Sequence, residues 1–218
     1  VRVPPAVKIC GLTRPHDARQ AEALGAAYLG VILAGGPRLV TLEQAARVLG
    51  PPRAAVGRVA VFGAQAEDTV ARVRDALALD ALQLHGEPDP EVVARLRAGG
   101  MAEPWPVVRV AGEELPVRAW ELAEAAGVLV LDTLVAGQQG GTGIPFDWHA
   151  LSGPIAALRR ATPGVRIVAG GGLRPENVAV MARLLAPEVV DVSSGVEGVP
   201  GVKDPVRMAR FLEQARAS

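Results

Sequence analysis

Short apolar runs alternate with amphipathic stretches along the whole chain. The runs lie at residues 7–10, 28–33, 59–62, 81–84, 107–110, 128–131, 166–169 and 189–192. Each is brief and rich in Val, Ile or Leu, the pattern of a strand buried on both faces. Between them, apolar positions recur at helical spacing. Val70, Val73 and Leu77 share one face, as do Val92, Val93 and Leu96, and Val178, Met181 and Leu185. Thr41 and Gln44 have capping-box spacing, and Pro175 sits where a first helical turn tolerates it. A last helix is predicted over about residues 204–214.

Eight strand–helix units fit two architectures, an open doubly wound sheet or a closed ring. The count of eight and the near-equal units favour the ring, and no G-x-G-x-x-G follows the first run. The expected fold is therefore α/β, one (β/α)8 barrel of the TIM type spanning residues 1–218 with little decoration. Barrel chemistry sits at the C-terminal ends of the strands. That rule selects the residues closing each run: Cys10, the stretch up to Arg38, His85, Asp132, residues 170–172 and residues 193–195.

Composition narrows the partners. Basic and acidic residues are equal at 23 each, which argues against a nucleic acid, whose phosphates call for a basic stripe. Aromatic residues make up 3%, too few for a base-stacking platform. One cysteine excludes an intramolecular disulfide framework and a multi-cysteine zinc site. The 50% apolar content excludes disorder. The start of the chain carries prolines and no long apolar region, and no stretch is long enough to span a bilayer, so no membrane is expected. A cytoplasmic protein is the expectation. The balanced charge fits a monomer or a homodimer, and a homodimer is the expectation carried forward.

Several strand ends carry chemistry. Gly170-Gly171-Gly172 and Ser193-Ser194-Gly195 close the last two runs. Glycines there let backbone N–H groups approach an anion and hydroxyls add donors, at the usual phosphate position of a barrel. The plain alternative is a pair of tight turns. Cys10 reads either as a small buried hydrophobe or, with a cation near enough to lower its pKa, as a base. Asp132 reads as a loop-bracing carboxylate or as an acid. Arg38 can clamp a carboxylate, and His85 can line a pocket and touch a substrate, or simply make a structural hydrogen bond. The glycine-rich loop 137–143 reads as a mobile cover or as an ordinary surface loop. No metal-ligand spacing, P-loop or nucleophile elbow occurs, so neither a metal nor a cofactor is expected. These residues point to proton transfer on a phosphorylated small molecule, carried out by an acid and a base on opposite strands.

The chain resembles the phosphoribosylanthranilate isomerase family over nearly its whole length. The marks are Val7-Lys-Ile-Cys-Gly-Leu-Thr13, Gly36-Pro-Arg38, Gln83-Leu-His-Gly86, Leu131-Asp132 and Gly140-Gly-Thr-Gly143. Ala169-Gly-Gly-Gly-Leu173, Asp191-Val-Ser-Ser-Gly-Val-Glu197 and Pro200-Gly-Val-Lys-Asp204 complete them. The resemblance implies a barrel enzyme of tryptophan biosynthesis. It implies a cofactor-free Amadori rearrangement of N-(5′-phosphoribosyl)anthranilate to 1-(2-carboxyphenylamino)-1-deoxyribulose 5-phosphate. It makes Cys10 the general base, Asp132 the general acid and Arg38 the partner of the anthranilate carboxylate. Asp191 then faces the ribose, and Gly171, Gly172, Ser193, Ser194 and Gly195 hold the phosphate. Family members usually carry a phenylalanine and a serine ahead of that arginine; here the stretch is Leu33-Ala-Gly-Gly-Pro-Arg38. Two other sugar-phosphate barrel enzymes fit the residues less well. A ribulose-phosphate epimerase would want several strand-end acids and histidines, and an indole-glycerol-phosphate synthase would want catalytic lysines, where this chain has only Lys8 and Lys203. A barrel that senses a phosphosugar without reacting is the remaining alternative.

Overall fold

A computed structural model describes residues 3–133 and 148–218. Eight parallel strands close a barrel in chain order. They are β1 (Ala6–Ile9), β2 (Tyr28–Ile32), β3 (Gly57–Phe62), β4 (Ala81–Leu84), β5 (Glu103–Val110), β6 (Val128–Thr133), β7 (Arg166–Ala169) and β8 (Val189–Val192). The ring shuts where β1 pairs with β8, Lys8 opposite Asp191 and Ile9 opposite Val192. Helices α1 (Pro15–Ala23), α2 (Leu42–Leu49), α3 (Glu67–Leu77), α4 (Pro90–Ala98), α5 (Arg118–Ala126), α6 (Trp148–Ala161), α7 (Val178–Leu185) and α8 (Pro205–Arg216) surround it. The fold is the (β/α)8 barrel expected from the eight apolar runs.

Side chains alternate across a strand, so each strand has two apolar faces with different duties. Val7, Ile9, Leu29, Val31, Leu82, Leu129, Leu131, Val190 and Val192 turn outward and are buried beneath the helices. The other parity fills the barrel. Its floor combines aromatic rings with an ion pair: Tyr28 meets Trp105 edge-on, ring centroids 5.0 Å apart, and Arg166 pairs with Glu103. Its upper layers are polar, with Lys8, Gln83 and Asp191 below Cys10, His85 and Asp132.

Local signals explain most boundaries. Thr41 and Gln44 form the capping box at α2, the Thr41 hydroxyl accepting from the Gln44 N–H at 3.2 Å. Asp204 caps α8 by accepting from the N–H groups of Val206 and Arg207. Two boundaries differ from expectation. β5 begins at Glu103, ahead of the apolar run, and contains Pro104 and Pro106. Both prolines pair with β4, while pairing with β6 starts only at Val107, so the missing donors fall outside the β6 ladder. Pro175 lies in a turn, and α7 starts at Val178. Asn177 holds that turn: its Oδ1 accepts from the Arg174 N–H at 2.8 Å and its Nδ2 donates to the Gly172 carbonyl at 3.0 Å.

A short addition follows β8. A 3-10 turn (Ser194–Val196) leads into a two-stranded antiparallel ribbon, β9 (Glu197–Val199) and β10 (Val202–Lys203). Among the described residues no helix is long and apolar enough to cross a membrane.

Candidate active site

A cavity of about 440 Å³ opens at the C-terminal ends of the strands. Its wall includes Cys10, Arg38, His85, Asp132, Gly171, Gly172, Asp191, Ser193 and Ser194. Of the residues singled out in the sequence, Gly195 alone is missing from that wall. It sits behind Ser194, where a Cβ would collide with the backbone of Leu173. Glycine there lets the loop after β8 pack directly on the loop after β7. Gly171 and Gly172 both have positive φ, 78° and 68°, which turns that loop over the cavity. The glycine-rich loop 137–143 lies outside the described residues.

Cys10 and Asp132 come from β1 and β6, which are not neighbours in the ring. Cys10 is 5% exposed. Burial pushes its thiol above the ordinary range; the Lys8 ammonium pulls it down and the Asp191 carboxylate pushes it up again. The cation that the base reading requires is present as Lys8, but burial outweighs it. The thiol is held up, not lowered.

Asp132 meets His85, Oδ2 to Nε2 at 2.9 Å. The Arg109 Nη2 lies 3.4 Å from His85 Nδ1. A guanidinium only donates, so Nδ1 accepts and the imidazole proton sits on Nε2, directed at Asp132. Arg38 makes a bidentate pair with Glu197, Nε to Oε1 at 2.8 Å and Nη2 to Oε2 at 2.7 Å. Two of the five guanidinium donors are thus taken, and the end-on edge stays available to a second carboxylate. Lys203 donates to the same Glu197 at 2.6 Å and to the Ser193 carbonyl at 3.1 Å. This ties the ribbon β9–β10 to both the arginine and the loop after β8.

The sequence did not reveal Lys8, Gln83, Arg109, Glu197 and Lys203 as parts of the site. Lys8 is 0% exposed and donates to Gln83 Oε1 and Asp191 Oδ2, each at 2.7 Å. A usable signal was present: Lys8 has the same parity as Cys10, and a charged residue facing a barrel interior needs partners there. Two polar atoms on the cavity wall, Asp191 Oδ1 and Ser193 Oγ, are buried without a hydrogen-bond partner among the described residues. Among the described residues no cluster of His, Cys, Asp and Glu suits a metal.

Burial raises the pKa of Glu197, but Arg38 and Lys203 outweigh it and hold the carboxyl below its ordinary value. Its contribution to stability is therefore complete above the ordinary carboxylate range and disappears as pH falls through the lowered folded value. Glu197→Ala strands the buried Lys203 and the half-buried Arg38. It should destabilise the fold by about 3 kcal/mol at neutral pH, read from urea unfolding, with the difference from the parent shrinking in acid.

Comparison with known proteins gives this geometry a family. The family model described as N-(5′-phosphoribosyl)anthranilate (PRA) isomerase matches residues 7–214. The N-(5′-phosphoribosyl)anthranilate isomerase of Cereibacter sphaeroides (strain ATCC 17029) is 39% identical over 215 residues, covering 96% of this chain and 98% of that one. A solved phosphoribosyl anthranilate isomerase in complex with reduced 1-(o-carboxyphenylamino)-1-deoxyribulose 5-phosphate superposes with a TM-score of 0.83 at 30% identity, covering 98% of this chain and 100% of that one. A second solved structure, of monomers of the dimeric enzyme from Thermotoga maritima, gives 0.79 at 32% identity with the same coverage. With the model matched from the first strand to the last helix, and a relative this similar end to end, the chain belongs to the N-(5′-phosphoribosyl)anthranilate isomerase family.

Proposed function

We propose that the chain isomerises N-(5′-phosphoribosyl)anthranilate to 1-(2-carboxyphenylamino)-1-deoxyribulose 5-phosphate in tryptophan biosynthesis, with Asp132 as general acid and Cys10 as general base. The observation that carries the reading is one cavity bearing a thiol and a carboxyl on non-adjacent strands, beside a glycine- and serine-rich rim. It joins membership of a family of isomerases.

The chemistry runs in three steps. Asp132 gives a proton to the furanose ring oxygen as the C1′–O bond breaks, leaving a Schiff base between C1′ and the anthranilate nitrogen. Its Oδ2 is held by His85 Nε2 at 2.9 Å, which fixes the carboxyl's orientation. The Cys10 thiolate then takes the C2′ proton, and the electron pair moves toward nitrogen to give an enolamine. Protonation at C1′ and loss of the 2′-hydroxyl proton yield the ketone. No step changes the oxidation state of a protein group.

Binding follows from the remaining walls. The N–H groups around Gly171, Gly172, Ser194 and Gly195, with the Ser193 hydroxyl, hold the phosphate. Asp191 Oδ1 accepts from a ribose hydroxyl, which satisfies a buried acceptor. Arg38 presents its end-on edge to the anthranilate carboxylate, steadied from behind by Glu197. His85 acts through Asp132. Fixing the phosphate and carboxylate ends orients C2′ between the two proton-transfer groups. A homodimer is the proposed assembly, supported by the similar Thermotoga maritima enzyme described as dimeric. A cytoplasmic location is the reading that fits a biosynthetic isomerase.

The test is direct. N-(5′-phosphoribosyl)anthranilate generated in the cuvette should lose its anthranilate fluorescence on addition of the protein, with the deoxyribulose phosphate recovered as product. Binding without that decay would replace the enzyme with a phosphosugar sensor.

A further inference from the structure

We propose that Lys8 is a positioning residue of this site: its ammonium, clamped beneath the cavity by Gln83 and Asp191, is the countercharge that lets Cys10 give up its proton. The proposal rests on the reading of Cys10 as the base.

Barrel interiors are usually filled by branched apolar side chains, and a buried ammonium is expensive unless paired. Lys8 is fully buried, so its presence there calls for a purpose. Lys8 and Cys10 are two residues apart on one strand and face the same way. Gly30, on the adjacent β2, makes room for both. A Cβ at that position would lie 3.0 Å from the Cys10 Sγ and 3.0 Å from the Lys8 Cε. The two side chains therefore share the space that the glycine leaves.

An ammonium has three donors. Gln83 and Asp191 take two, each at 2.7 Å, and fix the head group. The sulfur lies close enough to feel the charge of the ammonium. The other charged groups acting on the thiol are Asp191 from β8, Lys203 from β10 and Arg38 from the loop after β2. Arg38 and Lys203 are both held on Glu197, and β2 contributes only the uncharged Gly30. Lys8 is thus the cation that shares the space beside Gly30 with the sulfur and draws most strongly on its proton. It keeps its own protons throughout. The thiol proton goes to solvent in the open cavity, and the thiolate then collects the C2′ proton of the substrate.

The same contact positions Asp191. Its Oδ2 is taken by Lys8, which leaves Oδ1 as the oxygen facing the cavity. One buried ammonium so orients the base and the ribose acceptor together.

The chain's single cysteine makes the experiment clean, because every S-alkylated cysteine located by mass spectrometry is Cys10. Iodoacetamide alkylation is followed by mass spectrometry across pH for the parent, Lys8→Met, Lys8→Arg and Asp191→Asn. Thiolate is the reacting species. In Lys8→Met the midpoint should move up by about one unit or more, which is about tenfold slower alkylation at every pH below it. Lys8→Arg should recover most of that shift. Asp191→Asn removes the anion facing the thiol, so its midpoint should move down, with alkylation about threefold faster. A purely structural lysine would not produce opposite signs in these two variants. An unchanged midpoint in folded Lys8→Met overturns the proposal. If that variant does not fold by circular dichroism, an unchanged or raised midpoint in Asp191→Asn overturns it instead. The assignment of Cys10 as base is judged separately, by turnover of Cys10→Ser, and its failure leaves these titrations unaffected.

Discussion

Asp132→Asn should lower kcat by about 10²- to 10⁴-fold, the range for a positioned proton donor, with KM changing only a few-fold. The amide keeps the shape of the carboxyl. Its oxygen still accepts from His85 Nε2, where Asp132 Oδ2 now accepts at 2.9 Å. Its NH2 can even reach toward the ring oxygen, but it cannot surrender a proton at neutral pH. Ring opening would then have to expel an alkoxide. Substrate affinity rests elsewhere, on the loops after β7 and β8 and on Arg38, so binding of a reduced product analogue should be nearly unchanged. This division between kcat and KM is the signature of a group used only in the transition state. A variant retaining more than about a tenth of the parental kcat would remove Asp132 from the acid role. Loss of analogue affinity in parallel with kcat would make it a binding residue instead.

The fold was legible because β-strands buried on both faces leave a continuous apolar signal. All eight runs became strands, and the strand-end rule led to Cys10, Arg38, His85, Asp132 and Ser193 in one cavity, where Asp191, implied by the resemblance, joins them. What stayed hidden has physical reasons. Pro104 and Pro106 masked the first half of β5, because proline is normally excluded from paired strands, and only the later start of the β6 ladder permits them. Gly153 and Pro154 interrupt the helical pattern of α6, though the helix runs through them. The ribbon β9–β10 has strands too short to register as a pattern.

In the site, the missed groups are those whose meaning depends on a distant partner. The parity of Lys8 shows that it needs partners but not that they are Asp191 and Gln83, and Glu197 gains its meaning only from Arg38 across the cavity rim. Sequence shows that a side chain carries a charge; the closed ring decides which opposite charge it meets. The same limit applies to Cys10. The sequence leaves open whether a cation lies near the thiol, and the balance between that cation and burial is a property of the packed barrel.

Cys10→Ser should lower kcat by about 10²- to 10⁴-fold as well, for a different physical reason. Serine preserves the side-chain shape and fits the space beside Gly30 and Lys8. Its hydroxyl, however, is a far weaker acid than a thiol and stays protonated beside the same ammonium, so no base meets the C2′ proton. Ring opening by Asp132 is untouched. With C2′ deuterated substrate, the residual rate should therefore show a larger isotope effect than the parent, since proton abstraction has become the slow step. The parent enzyme supplies the companion result. Because burial holds its thiol above the ordinary value, alkylation of the empty site should accelerate about tenfold per pH unit through neutrality and beyond pH 9. A product analogue filling the cavity should protect against it. Near-parental turnover in Cys10→Ser would assign the base to another group. An alkylation rate already at its plateau near pH 7 would mean that the ammonium outweighs burial, the opposite of the balance found around this thiol.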